Sequence, residues 1–561
     1  MLDTIFKANV SRRTLLKAWA AGAAGALLAA CSPAAPPPSP TQAPAKPAAT
    51  EVPKPAATAA PAVATAAPVP TQAPAATKPA GPKRGGTLVV ARTPRITNFN
   101  AFYMTRGHFA FLRALYNTPI RLDDKLQPQP ELATSWQFTP DGTKLTLKLR
   151  EGVKFHSGRE VTAEDVKFSW QYALVPENSA SMRSSFLLIK DVKTPDKTTV
   201  ELYFDKPNPL AFDALDLLFV YDKARVDNIA KTDAGSGPFM VDRYVPPNEV
   251  YMKRFADYWD KGKPYVDAYN LLSIPDTATL AINLEAKAVD AIWAPEFKDV
   301  ARLKGQPGMV ATDGPGAQGM CFVGAKWDRK PLDNKKVRQA INYAIDRERV
   351  ERVVFEGLVK STCLLWPRDS LGYFEDLEGK YKYDLNKAKA LLVEAGLGSG
   401  FKTTIETSRQ VNPVLFGIAQ ILQADLAKIG VEAKIEDVES TIHTKRIVAG
   451  DFDLCVHNYG RANRDPGTTL MGGQDWQPKS EGGNTIPDFP DWVKWRDAGA
   501  TTLDSEKRRA AYRMIQEWML DECYKMPVIG NVSYWLYHDK VKDLRFTSES
   551  SPWADVVWVD K

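Results

Sequence analysis

From Gly85 onward the apolar positions switch between two periods, and each switch marks an element. Leu88-Val89-Val90-Ala91 is a continuous apolar run of strand length and predicts a short buried strand. Trp136-Gln137-Phe138 and Leu145-Thr146-Leu147-Lys148-Leu149 alternate apolar and polar, and Pro140-Asp141-Gly142 between them supplies turn chemistry, so a hairpin with one buried face is expected. Thr162-Ala163-Glu164-Asp165 places a cap with an acid three residues on, opening a helix whose apolar face carries Val166, Trp170 and Leu174. Period two returns from Thr199 to Phe204, which makes this region α+β.

From about Phe322 the pattern changes. Asp333 is expected to cap a long helix with Val337, Ile341, Ala344 and Ile345 at helical spacing. Asp384 to Ala395 reads as a second helix stopped by Gly396, and Leu415 to Ile429 as a third ended by Gly430. Val431 to Ile435 follows as a strand, and helices alternating with strands predict a mostly parallel sheet. A helix near Glu506 to Leu520 and a strand over Met526 to Val532 close the pattern, which contains no internal repeat.

The first 84 residues are different in kind. Ser11-Arg12-Arg13-Thr14-Leu15-Leu16-Lys17 resembles a twin-arginine export motif with Leu15 in place of the usual Phe, and Leu28-Ala29-Ala30-Cys31 looks like a bacterial lipobox. The Ala- and Gly-rich stretch between them falls short of the roughly 20 strongly apolar residues of a spanning helix, so 1–31 reads as a cleaved signal that leaves a lipidated Cys31. Residues 32–84 hold over a third of the chain's 41 prolines and no aromatic residue, a composition that predicts a disordered tether. No later apolar run reaches membrane length; the best candidate, Pro209 to Tyr221, is broken by Asp213 and Asp216.

A net charge of only +6 over 561 residues implies no nucleic-acid partner. The five His are isolated, so no metal site or cofactor is expected. Cys321, Cys363, Cys455 and Cys523 have no metal-type spacing and leave three possible disulfide connectivities open. No GxSxG, HExxH or SxxK setting for a nucleophile or zinc is present, and the chain reads as a non-enzyme. Gly235-Ser236-Gly237-Pro238 reads as a bend before a strand, not a phosphate cradle, and His156 as locally bonded. Arg338 and Asp346 read as a solvated helix face or a local bridge.

Over about 85–561 the chain resembles the family 5 solute-binding proteins of ABC importers. The resemblance rests on Pro130 to Trp136, Asp141-Gly142, Leu149 to Gly158, Thr162 to Val166, Gly235 to Phe239, Tyr258-Trp259, Val337 to Arg347 and Tyr383-Asp384 with Lys387, Ala388, Leu391, Leu392, Ala395 and Gly396. It implies an α/β, two-lobed periplasmic-binding-protein fold of type II-like topology, with an extra α+β subdomain in the larger lobe. Its first lobe would take 85–118, 236–322 and 521–561, with 119–235 as the extra subdomain, and its second lobe 323–520. The implied role is that of an extracytoplasmic, lipid-anchored, monomeric binding component, which hands its solute to a membrane permease with ATPase subunits.

The resemblance also implies where a solute would sit. In peptide-binding relatives the segment resembling Gly450 to Leu454 leads to a loop whose first Asp holds the peptide amine. Here that loop reads Tyr459-Gly460-Arg461-Ala462-Asn463-Arg464-Asp465-Pro466, with Ala462 at the carboxylate position and Asp465 as the substitute. Asn458, Tyr459 and Arg461 belong to the same stretch, Arg461 as a bidentate partner for carboxylate or phosphate. Tyr103, Trp293 and Trp366 are the aromatic cleft candidates, able to stack on peptide side chains or sugar rings. A peptide or peptide-like solute is expected first and an oligosaccharide second, with an exported glycosidase-type hydrolase as the remote third.

Overall fold

The apolar run at 88–91 becomes the centre of a seven-stranded sheet in the computed structural model, which describes residues 81–561 apart from 104–107, 124, 179–181, 315–318, 461, 463, 548–549 and 561. Cys31, the tether up to residue 80 and Arg461 lie outside the described residues. The strand order is Met309–Asp313, Tyr534–His538, Ala291–Trp293, Thr87–Arg92, Ala268–Ser273, Glu249–Arg254 and Phe239–Val245. Thr87–Arg92 runs parallel to both of its neighbours, and every other pairing in the sheet is antiparallel. Leu88 and Val90 face one core with Phe239 and Tyr269, whereas Ala91 faces another with Leu280 and Ile292. A strand buried on both faces needs no polar alternation, which is why its sequence is a run.

The second sheet has the order Val431–Asp437, Phe401–Thr407, Leu454–Gly460, Gly319–Ala325 and Lys525–Asn531. Its first two pairings are parallel and its last two antiparallel, so the expected mostly parallel sheet is in fact mixed. The reason is Gly319–Ala325, buried at all seven positions, which enters from the first sheet and runs against the strands on either side of it. This strand and Lys525–Asn531 belong to the second sheet, so the chain changes lobes at 314–318 and 532–533, not after 322 and 520. Met526, Val528 and Ile529 pack into the core beneath that sheet, which draws the C-terminal boundary beyond the helix Ser505–Glu522.

The hairpin of the extra subdomain forms as the alternation predicts. Ala133–Phe138 and Lys144–Leu149 pair antiparallel within a four-stranded sheet that adds Thr199–Tyr203 and Asp191–Asp196. Asp165 accepts from the Thr162 backbone N–H at 2.9 Å and closes the capping box of the helix Ala163–Leu174. The second lobe departs from expectation at its first helix. Asn334, not Asp333, caps Lys335–Tyr343, and the chain breaks at 344–346 so that Asp346 caps a separate helix, Arg347–Val354. Each short polar side chain satisfies orphan N–H groups at its own helix start, and two caps twelve residues apart cannot belong to one continuous helix. The later helices are Leu385–Glu394 and Pro413–Ala427, capped by Asp384 and Asn412.

The Gly-Ser-Gly-Pro segment is a structural joint. A Cβ at Gly235 would lie 1.9 Å from the Leu115 carbonyl oxygen, and one at Gly237 would lie 2.5 Å from that of Ala114. His156 bonds locally through Nδ1 to Asp233 and through Nε2 to the Gly237 carbonyl at 3.0 Å. Arg338 is buried and bonds the backbone carbonyls of Leu332, Asp333 and Glu522 and the Glu522 carboxylate, tying its helix to the end of Ser505–Glu522. All four described cysteines are buried free thiols. Among the described residues no helix is long and apolar enough to cross a membrane.

Candidate functional site

In open α/β sheets the crevice beyond the carboxyl ends of parallel strands is where ligands collect, because no strand continues to fill it. Here the two sheets bring such ends to a shared cleft. Thr93 follows Thr87–Arg92, Trp293 ends Ala291–Trp293, and Tyr534 opens Tyr534–His538; all three line a cavity of about 530 Å³. The second lobe supplies Asn412, Pro413 and Val414 from the start of the helix Pro413–Ala427, and Asn531 from the end of Lys525–Asn531. Asn412 donates to the Asn531 side chain at 3.0 Å, which fixes the floor. On the opposite wall Glu296 accepts from Thr277 at 2.6 Å and pairs with Lys298 at 2.6 Å, so the rim carries both charges.

Several buried polar atoms without a hydrogen-bond partner gather at these strand ends: the three guanidinium nitrogens of Arg92, Thr407 Oγ1, Ser408 Oγ and Asn458 Oδ1. Leaving such a group unmet costs about 1 to 3 kcal/mol, so natural cores hold few of them. Their grouping at the carboxyl ends of Thr87–Arg92, Phe401–Thr407 and Leu454–Gly460 fits a site that completes its hydrogen bonds with a polar solute.

The residues expected from sequence fall in different surroundings. Trp293 is half-buried and lines the cavity. Tyr103 is 50% exposed on a turn. Trp366 is fully buried, against Tyr512 at 6.3 Å and against Gly372, in a core it shares with Trp476 and Trp492. Tyr459 packs on Trp476 at 5.0 Å and donates its hydroxyl to the Leu365 carbonyl, and Asn458 beside it is half-buried. Asp465 caps the helix Pro466–Gly472 through Gly467 N–H at 3.0 Å, accepts from the Tyr512 hydroxyl at 2.5 Å and pairs with Arg508. Burial raises its carboxyl above the ordinary range, with Arg508 opposing. A solute ammonium reaching Asp465 would have to compete with these three partners.

Arg464, in the same loop, is fully buried and reaches out of the second lobe. It pairs with Asp213 at 3.0 Å and with Asp216 at 2.6 Å, next to the helix Ala211–Leu215 of the extra subdomain. Thr468 donates to Asp213, and Arg113 holds the other Asp216 oxygen at 2.8 Å. Burial by itself would raise the Asp216 carboxyl, but the two arginines outweigh it and hold the group below the usual carboxylate range. The sequence signal for Arg464 was its place beside Asp-Pro. For Arg92 the signal was a charge ending an apolar run, and neither Asn412 nor Asn531 carried any.

Below the loop, His443 sits between Glu406 at 3.2 Å and His457 at 2.9 Å, and Arg446 pairs with Glu406. Desolvation, helped by His443, pushes His457 down to about 3. The unfolded chain therefore takes up a proton near pH 6.5 that the fold refuses. Stability is unaffected above that pH and falls by up to about 1.4 kcal/mol per unit as pH drops from 6.5 toward 3. Urea unfolding at pH 7.5 and pH 5 should show this loss and show it reduced in His457→Gln; an identical slope in the variant would assign the loss elsewhere.

Two sheets joined by two crossovers, with a cavity walled by both, define a two-lobed periplasmic binding protein. Residues 127–480 match the bacterial extracellular solute-binding proteins, family 5. The dipeptide-binding protein of Escherichia coli K12 is 30% identical over 474 residues, 78% of this chain and 88% of that one. Heme-binding protein A of Haemophilus influenzae is 30% identical over 373 residues, 61% of this chain and 68% of that one. The solved periplasmic binding protein DppA of Helicobacter pylori, in complex with the peptide STSA, superposes with a TM-score of 0.72 at 25% identity, covering 85% of this chain and 99% of that one. The chain belongs to family 5 of the bacterial extracellular solute-binding proteins, and its role is that of the substrate-binding component of an ABC importer.

Proposed function

We propose that the protein captures a peptide or peptide-like solute between its lobes and delivers it to a membrane permease and its ATPase subunits. The observation that carries this reading is the cavity of about 530 Å³ walled by both lobes, where Trp293 offers a stacking face and Glu296, Lys298, Asn412 and Asn531 offer polar ones. A solute touching both walls binds the closed form better than the open one, and that difference alone drives closure. The permease then reads the closed shape. The protein acts as a monomer, exported through the twin-arginine motif and held at the membrane by lipid on Cys31. Mass spectrometry of the membrane fraction should find acylated Cys31, and an unmodified, membrane-bound chain would refute the anchor.

Thermal-shift and calorimetric screening against peptide and oligosaccharide libraries tests the solute class. The binding class raises the melting temperature in proportion to RT ln(1 + [L]/Kd). Peptides are expected to do so, and Trp293→Ala to weaken binding by about 1 to 3 kcal/mol through lost apolar contact. Oligosaccharides binding in place of peptides would replace the solute class while keeping the cleft. Full affinity in Trp293→Ala would move the site elsewhere.

A further inference from the structure

Arg92 is the last residue of the central strand of the first sheet and pairs in register with Ser273. On its other side Val90 faces Ala291 and Ala91 faces Ile292, so the parallel register carries Arg92 to Trp293, the aromatic residue that lines the cavity. Strand alternation puts Arg92 on the face of Leu88 and Val90. Its exposure is 0%, and Nε, Nη1 and Nη2 all lack a hydrogen-bond partner.

The other buried arginines show how unusual this is. Arg113 and Arg464 share Asp216, Arg338 holds Glu522, Arg496 holds Glu481, and Arg347 bonds the Pro527, Asn342 and Tyr381 carbonyls and the Asn342 side chain. Arg92 has no such acceptor. Burial lowers it to about 9, which still leaves it charged at neutral pH, and its electrostatic neighbour is the phenol of Tyr269, not a carboxylate. A buried cation without a counter-charge is costly and persists where something else provides the balance. A guanidinium is a planar fork of donors that matches a carboxylate in two parallel bonds.

We propose that Arg92 is the anion-recognising residue of the solute site, and that the solute carries a carboxylate which takes the place of the missing counter-ion. This rests on the reading that the cleft between the lobes takes the solute. The guanidinium is shut from solvent in this conformation, so the carboxylate arrives while the lobes are apart and is enclosed when they meet. Closure then depends on the anion: a solute without one leaves the cation buried and unmatched, and specificity for acids follows from that penalty.

The test uses the whole purified chain, with a panel of dipeptides carrying free carboxyl ends, the same dipeptides as C-terminal amides, and neutral oligosaccharides. The acids should bind the wild type at least tenfold more tightly than their amides. Arg92→Met should bring acids down to the level of amides, and Arg92→Lys, which keeps the charge but not the fork, should retain part of the preference. Without solute, Arg92→Met should melt no lower than the wild type, because it removes an unmatched charge. If Arg92→Met does not fold, Arg92→Gln replaces it, with the acid-to-amide ratio as the readout. A variant that keeps the wild-type acid preference overturns the assignment, as does an Arg92→Met that melts far below wild type with its preference intact. Amides or sugars that stabilise the wild type as well as the acids do overturn Arg92 alone. Failure of all three sets to shift the wild-type melting temperature overturns the solute cleft together with it.

Discussion

Arg464→Met should lower stability by about 3 kcal/mol and weaken solute binding by tenfold or more. Removing one partner from a buried ion pair costs about 3 to 5 kcal/mol, because the remaining charge stays desolvated. Asp216 keeps Arg113 at 2.8 Å and the Leu122 N–H at 2.9 Å, which places this variant at the low end of that range. The effect on binding has a separate origin. Arg464 and its two acids come from different lobes, so their pairing exists only while the lobes are together, and losing it lowers the fraction of chain in the closed form. Apparent affinity falls with that fraction, tenfold for each 1.4 kcal/mol. Arg113→Met is the control: Arg113 bonds Asp216 and Thr118, both within the first lobe, so stability should drop while affinity holds. Urea unfolding and titration calorimetry separate the two outcomes, and an Arg464→Met protein with wild-type affinity would show that the pair does not latch the lobes.

Gly235→Ala should abolish the fold or cost more than about 3 kcal/mol, above the usual range for an overpacked position. The added methyl would sit 1.9 Å from the Leu115 carbonyl oxygen and 2.8 Å from its carbon. Those are backbone atoms, and the same oxygen accepts from the Gly237 N–H at 2.9 Å, so it cannot retreat without breaking that bond. Gly152→Ala is the matched comparison. Gly152 has open space around it and a φ of +72°, so the substitution should cost only the left-handed penalty of about 1 to 2 kcal/mol. Equal melting temperatures for the two variants would refute the steric account.

Local rules carried the reading furthest where an element is decided by its own residues. The period-two hairpin, the Thr162 capping box and the helix stops at Gly396 and Gly430 all depend on neighbours within four residues, and all formed. Sheet membership was not legible in that way. Gly319–Ala325 looks like any apolar strand, and which sheet it joins depends on Leu454–Gly460 and Lys525–Asn531, more than a hundred residues away. The site shows the same division. Trp293 stands out by residue type, whereas Asn412 and Asn531 reach the cavity wall through their positions in folded elements. Trp366 and Tyr459 are large aromatics near the expected loop, and packing against Tyr512 and Trp476 places both in a core.

Burial of the four thiols bears on how lobe motion can be followed. A thiol reacts as its thiolate, and desolvation pushes Cys321 and Cys455 up to about 12 and raises Cys523 as well. Alkylating reagents at neutral pH therefore find no accessible native sulfur among the described residues. A cysteine introduced on the surface of each lobe would be the reactive pair, so spectroscopic labels could report opening and closing with the native thiols left in place.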